Sequence, residues 1–237
     1  MKKDVFFIKR IWRNRHYIYS LPWSIYFNFY YLPFKQAIHL PILLWKPELR
    51  SCNGKIVLMG GVKTGMIKLG ERIAGIYPNI GFMYENSGGT IVFNGNAIMG
   101  NGCSLTIGKN GMLNVGDKFA ATSEVKILCY DQIDLGKNVL CGWRTIIMDT
   151  DFHKMKYIDG HCSTGHGKIE IGDNCWIAYN CTIMKGTILP SYTIVASNSQ
   201  VSSRYSIKER SMIAGIPAKL VKEGIYLDRE DDIIEME

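Results

Sequence analysis

The sequence predicts an all-β solenoid built from six-residue units, and three observations carry that prediction. From Ile171 to Val201 an aliphatic residue recurs at every sixth position: Ile171, Ile177, Ile183, Leu189, Val195 and Val201. Two places before each of the last five stands a small residue, Cys175, Cys181, Thr187, Thr193 or Ser199. A short phrase recurs upstream, as Ile107-Gly108-Lys109-Asn110, Val115-Gly116-Asp117-Lys118, Leu135-Gly136-Lys137-Asn138 and Ile171-Gly172-Asp173-Asn174. A helix spaces apolar residues by three and four, and a lone strand by two. A period of six suits a solenoid in which each unit is one flat face and its aliphatic residue turns to a common axis. The small residue then sits near a corner, where little side-chain volume fits.

The first fifty residues differ from the rest in charge and aromatic content. They hold nine Lys and Arg against Asp4 and Glu48, which accounts for the chain's entire net charge of +7. They also hold thirteen of the Phe, Trp and Tyr residues, with Lys9, Arg10, Arg13 and Arg15 interleaved among Phe6, Phe7, Ile8, Ile11 and Trp12. Two roles fit: a cap over the open end of the solenoid, and a membrane-surface element making peripheral contact through residues 1–45. Pro22, Pro33, Pro41, Lys35 and His39 leave no clean window of about 20 apolar residues, so no transmembrane span is expected. Basic and aromatic residues also serve nucleic-acid binding, but no motif of that kind is present and no nucleic acid is expected as a partner.

A composition of 47% hydrophobic and 21% charged residues excludes disordered and collagen-like classes. Five of the seven cysteines fall in the repeat region, no Cys-x-x-Cys pair occurs, and no secretory signal is read. Free thiols and a cytoplasmic location at or near the inner membrane surface are expected.

From about Lys55 the texture becomes short strands with tight turns. Phe93, Met99 and Leu105 already keep the period, and Leu135, Cys141 and Ile147 resume it. In the repeated phrase the glycine is expected to supply an unusual φ at a corner, and the Asp or Asn to bond the turn backbone. The period fails between Ile147 and Ile171. This interruption is polar, carries His153, His161 and His166, and has Gly160, Gly165 and Gly167 to let it turn. After Val201, Pro217 is placed to start a helix, followed by an acidic tail. The expected organisation is residues 1–50 as the basic aromatic segment, 51–203 as solenoid with an active-site loop at 148–170, and 204–237 as a C-terminal helix and tail.

Taken together, the hexads, Asp-Asn-x-Trp-Ile at 173–177, Asp-Thr-Asp-Phe-His at 149–153 and Ala-Gly-Ile-Pro-Ala-Lys at 214–219 resemble the hexapeptide-repeat acyltransferases, above all the sugar O-acetyltransferases of surface-polysaccharide synthesis. The resemblance spans roughly residues 90–222. It implies a left-handed parallel β-helix, a homotrimer with active sites between neighbouring subunits, and acetyl-CoA as acyl donor. The left-handed winding rests on the resemblance alone and departs from the usual crossover rule.

The resemblance also assigns roles. Acetyl transfer to a hydroxyl needs a base, and an imidazole with an ordinary pKa of about 6.5 suits that task near neutrality. His153 matches the family's catalytic position. Asp151 is the candidate to hold the ring's other nitrogen, with Asp149 as its competitor. Trp176 lies near the family's acyl groove, Ala178, Ser197 and Ser202 match its contacts to the pantetheine arm, and Arg204 and Lys219 are placed to meet nucleotide phosphates. Several relatives carry Thr-Lys where this chain has Ser202-Ser203, which shifts phosphate contact toward Arg204. His161 and His166 share the spacing of a zinc pair in a related β-helix family of carbonic anhydrases. No upstream histidine completes such a site between Leu40 and Phe152, so no metal is expected. The expected function is acetyl-CoA-dependent transfer to a sugar hydroxyl of a glycan precursor. N-acetylation of an amino sugar, or a non-catalytic β-helix scaffold, stay open as alternatives.

Overall fold

The computed structural model describes residues 19–73, 75 and 77–230. Expectations for residues 1–18 and for the end of the acidic tail lie outside these residues. The described strands form three parallel sheets, each gaining one short strand per coil. The first sheet runs Ile42–Leu44, Ile67–Glu71, Ala97–Gly100, Phe119–Ala121, Leu140–Cys141, Trp176–Ile177 and Ile194–Val195. The second runs Pro47–Cys52, Phe82–Asn86, Ser104–Ile107, Lys126–Cys129, Ile146–Met148, Thr182–Met184 and Gln200–Val201. The third runs Lys55–Leu58, Thr90–Phe93, Met112–Val115, Gln132–Leu135, Ile169–Ile171 and Ile188–Leu189. The chain visits the three in turn, which makes a three-sided parallel β-helix.

Strand pairing stacks the sixth-position residues into three interior columns. Leu69, Met99, Ala121, Cys141, Ile177 and Val195 form one. Tyr84, Leu105, Ile127, Ile147, Ile183 and Val201 form the second. Phe93, Val115, Leu135, Ile171 and Leu189 form the third. None of these side chains is more than 3% exposed. The small residues two places earlier are buried too. The hydroxyls of Thr187, Thr193 and Ser199 each donate to the carbonyl three residues back, at Met184, Pro190 and Ala196. That local bond is why polar side chains are tolerated there.

The phrase glycines work differently from expectation. Gly116, Gly136 and Gly172 are not among the residues with positive φ; Lys118, Asn138 and Asn174, two places on, are, at φ of 60°, 60° and 56°. What the glycines supply is room. A Cβ on Gly116 would stand 2.2 Å from the Gly136 carbonyl oxygen, and one on Gly172 2.5 Å from the Ser191 nitrogen. Stacked coils approach too closely at this corner for any side chain. The aspartates do bond the turn backbone, but that of the adjacent coil: Asp117 accepts from Asn96 N–H and Asp173 from Lys137 N–H.

The solenoid begins at Ile42, inside the segment that the sequence sets apart as residues 1–50. Among the described residues no coil lies beneath its first strand, so alternate backbone groups face outward from that edge. Helix α1, Leu21–Tyr31, lies along that edge, with Pro22 tolerated in its first turn. Ser20, just ahead of the helix, accepts from Lys46 N–H; Ser24 accepts from Leu44 N–H; Asn28 accepts from Ile42 N–H and donates to the Ile42 carbonyl. The match is metric: four helical residues rise about 6.0 Å and two strand residues about 6.6 Å. Phe27, fully buried, plugs the interior edge-on against Tyr84, with ring centroids 5.1 Å apart. The cap role is therefore filled by one face of α1. A single further turn, α2 (Phe34–Ala37), leads into the first strand.

The expected C-terminal helix is corrected: no helix follows residue 203 among the described residues. Ser211–Gly215 joins the first sheet in parallel, and Ala218–Glu223 folds back on it antiparallel, with Ile216-Pro217 between them. Ile213 pairs with Val195 and extends the interior column, so the strand state wins over the local composition of AKLVKE. Beyond the hairpin, Tyr226 packs edge-on against Tyr192, and Arg229 donates to Asn138 and the Lys118 carbonyl.

Candidate active site

The interruption leaves the second sheet after Met148 and re-enters the third at Ile169, in the fifth coil. It is a narrow two-stranded finger. Thr150 bridges His166 and Lys156 bridges Cys162, both antiparallel, and Asp151 N–H donates to the Gly165 carbonyl. Gly165 has φ +77°, and a Cβ there would stand 2.8 Å from the His153 carbonyl oxygen, so the neck of the finger requires glycine. His153 lies on the outgoing arm, exposed. Phe152, with φ +59°, packs edge-on to Tyr130 of the coil below, at 4.8 Å between centroids.

Asp149 is the root of the finger. It is fully buried, and its carboxylate accepts from the N–H groups of Tyr130 and Asp131, both at 2.8 Å, while its carbonyl accepts from Gly167 N–H. Burial pushes its carboxyl above the ordinary range, against the downward pull of those donors and of the Cys129 thiol. It is thus an anchor for the turn at 130–131. Asp149→Ala would take the acceptor from two partly buried N–H groups, a cost of roughly 2–4 kcal/mol. Thermal denaturation should show a fall of about 5–15 °C. A carboxyl with raised folded-state proton affinity contributes stability below its unfolded pKa that is lost as pH rises through its folded value. The gap between wild type and Asp149→Ala should therefore widen as pH falls from neutrality toward the ordinary carboxylate range.

Asp151 is not on His153. Its carboxylate pairs with Lys185 of the next coil at 2.8 Å, both side chains about a quarter exposed. Strand pairing sets this: Met148 stacks on Met184, so the residues that follow each meet at the same corner. Two other histidines of the finger do carry carboxylates; His166 Nδ1 lies 2.8 Å from Asp131 Oδ2, on the coil below. Its partner is 35 positions away, and only coil register reveals it. His161 contacts Asp159 and stacks on Tyr157 at 3.9 Å. Among the described residues no group of three or more His, Cys, Asp or Glu is placed to hold a metal ion.

The residues matched to the acyl donor fall on two corners and one face. Ala178, nearly buried, and Ser197, exposed, stand on adjacent coils at the corner leaving the first sheet, where Ala178 N–H donates to the Val195 carbonyl. Ser202 and Arg204 are exposed at the corner leaving the second sheet, the corner that bears the finger. Trp176 is half-buried in the first sheet, and Lys219 is exposed on the terminal hairpin. The two corners are separated by the width of the second sheet. One chain does not gather all these residues into one pocket.

The coil architecture and the finger define a class, and the chain belongs to it: it is a hexapeptide-repeat acyltransferase, an enzyme built on a left-handed parallel β-helix. A 24.8 kDa protein of the cps region of Klebsiella pneumoniae is 31% identical over 183 residues, which is 77% of this chain and 80% of that protein. WbbJ of Escherichia coli K12, whose name assigns it to O-acetyl transfer in lipopolysaccharide biosynthesis, is 28% identical over 149 residues, 59% of this chain and 75% of its own. The crystal structure of NeuO, a polySia-specific acetyltransferase, shares the fold with a TM-score of 0.52, at 18% identity over 79% of this chain and 74% of that one. No protein-family model matches the chain.

Proposed function

We propose that the chain transfers an acetyl group from acetyl-CoA to a hydroxyl of a sugar within a surface-polysaccharide or lipid-linked glycan precursor, with His153 as general base. The observation that carries this reading is that the one polar insertion between the interior columns of the later coils is the finger presenting His153 to solvent. The names of WbbJ and NeuO support a glycan acceptor. The residues present suit the donor. Small side chains and backbone groups at Ala178 and Ser197 fit an extended pantetheine arm, and exposed Arg204 and Lys219 fit its phosphates.

In this reading the thioester supplies an activated acetyl group. His153 takes the proton of the acceptor hydroxyl as its oxygen forms the new C–O bond, then returns that proton to the thiolate when the C–S bond breaks. Backbone N–H groups along the corner stabilise the oxyanion. Because the donor-matched residues divide between two corners, a complete site forms where one corner of a chain meets the other corner of a neighbour, which a closed threefold ring provides. The enzyme is placed in the cytoplasm, with residues 1–45 toward the inner membrane surface.

The test is thiol release from acetyl-CoA with a panel of oligosaccharides and amino sugars, with products identified by mass and by lability to mild base. Base-labile acetylation of a hydroxyl is expected. CoA binding without transfer to any glycan would support the scaffold instead, and a base-stable product would support N-acetylation.

A further inference from the structure

Among the described residues, no coil packs on the outer face of α1. At 3.6 residues per turn, Tyr26 and Phe29 stand nearly opposite the stripe of Ser20, Ser24, Phe27 and Asn28 that caps the coil. Trp23, Tyr26, Phe29 and Tyr30 are 51%, 50%, 45% and 52% exposed, and Phe34 beyond them is 71% exposed. A face of that size made of large rings is unusual on a free surface. Between Trp23 and the first coil lies a cleft of about 390 Å³, lined by Tyr19, Trp23, Trp45, Pro47 and the exposed Lys46, whose ammonium donates to the Asn79 carbonyl at 3.3 Å.

Three features say what covers this face. Its apolar residues are predominantly Trp, Tyr and Phe, the side chains that settle at the boundary between hydrocarbon and water. No carboxylate occurs between Asp4 and Glu48, whereas the nine cations of residues 1–50 account for the chain's whole net charge. Two copies would bring together two chain segments of this composition, which their like charge opposes. No helix among the described residues is long and apolar enough to cross a membrane.

We infer that the outer face of α1 docks on an anionic phospholipid bilayer, its rings at headgroup depth and Lys46 at the mouth of the cleft meeting a lipid phosphate. Docking needs no acyl donor and stands apart from the catalytic reading. A consequence does rest on that reading. The finger leaves the fifth coil, four strand spacings of about 4.8 Å from the capped edge, and α1 adds its own diameter of about 10 Å, so catalysis takes place about 30 Å from the bilayer. A lipid-linked acceptor is then modified on a sugar away from its lipid.

The experiment is co-sedimentation of the full chain with vesicles of phosphatidylcholine alone and with about one-third phosphatidylglycerol. Binding to the second but not the first is expected, weakening with salt. The triple variant Trp23→Ser/Tyr26→Ser/Phe29→Ser should lose binding by at least about tenfold, with its melting temperature and its acetyl transfer to a soluble glycan unchanged. Lys46→Glu, which leaves the rings in place, should weaken binding to the anionic vesicles alone. Absence of binding, equal binding by the triple variant, or a change in its oligomeric state by light scattering would each overturn the proposal, the last by showing that another copy covers the face. Because vesicle binding is read without substrate, failure of the transfer assay leaves this result intact.

Discussion

His153→Ala should lower acetyl transfer by about a hundred- to ten-thousand-fold, the range that a positioned general base contributes. Binding of CoA, measured by calorimetry, should change little, because the donor-matched residues Ala178, Ser197, Ser202, Arg204 and Lys219 stand on the coils and the terminal hairpin, not on the finger. The loss should fall on kcat, and the variant should lose the rising limb of the pH–rate profile that a base imposes. Two comparisons keep the assignment sharp. Asp151 pairs with Lys185 across the neck of the finger, so Asp151→Asn should loosen the finger and raise the acceptor KM more than it lowers kcat. His166 carries a carboxylate from a different coil on its ring, Asp131. If His166→Ala carried the large kcat loss and His153→Ala did not, the base would be His166, oriented by Asp131, and His153 would be an exposed loop residue.

How much of this was legible beforehand depends on the range over which each interaction acts. The interior columns were legible because a six-residue period is local, and every aliphatic residue it marked from Phe93 to Val201 is buried in a column. The site of the finger was legible for the same reason, as a gap in that period. The corner glycines were misassigned because sequence shows a glycine but not whether it is needed for φ or for space; the stacked coil behind Gly116 decides for space. The terminal hairpin was read as a helix because Pro217 suits a helix start, and its pairing partner Ser211–Gly215 comes from the sheet rather than from local preference. The Asp131–His166 and Asp151–Lys185 pairs were invisible, since each joins residues of different coils. The edge cap had a signal that went unused. Ser20, Ser24 and Asn28 recur every four residues in an otherwise apolar, aromatic run, and that spacing on a helix puts three polar groups in one line.

That line of polar groups makes the second large effect. Asn28 is fully buried, and its amide both accepts from Ile42 N–H and donates to the Ile42 carbonyl at 2.7 Å. Asn28→Leu keeps the volume but leaves both backbone groups orphaned beneath the helix, at about 1–3 kcal/mol each. A total near 4 kcal/mol corresponds to a fall in Tm of about 8–16 °C for a chain of this size. Ser24→Ala, which orphans only Leu44 N–H, should cost about half as much or less. The two substitutions should not add, because Asn28 also donates to the Ser24 carbonyl and the residues share one helix face. A bare first strand is also a template for another strand, so Asn28→Leu should aggregate on warming in a concentration-dependent way, visible by light scattering. Tyr26→Ser, on the opposite face of the same helix, should leave Tm unchanged. If Asn28→Leu melts with the wild type, the bonds to Ile42 are not what holds α1 to the coil, and the packing of Phe27 against Tyr84 with the Ser20 and Ser24 bonds must do so.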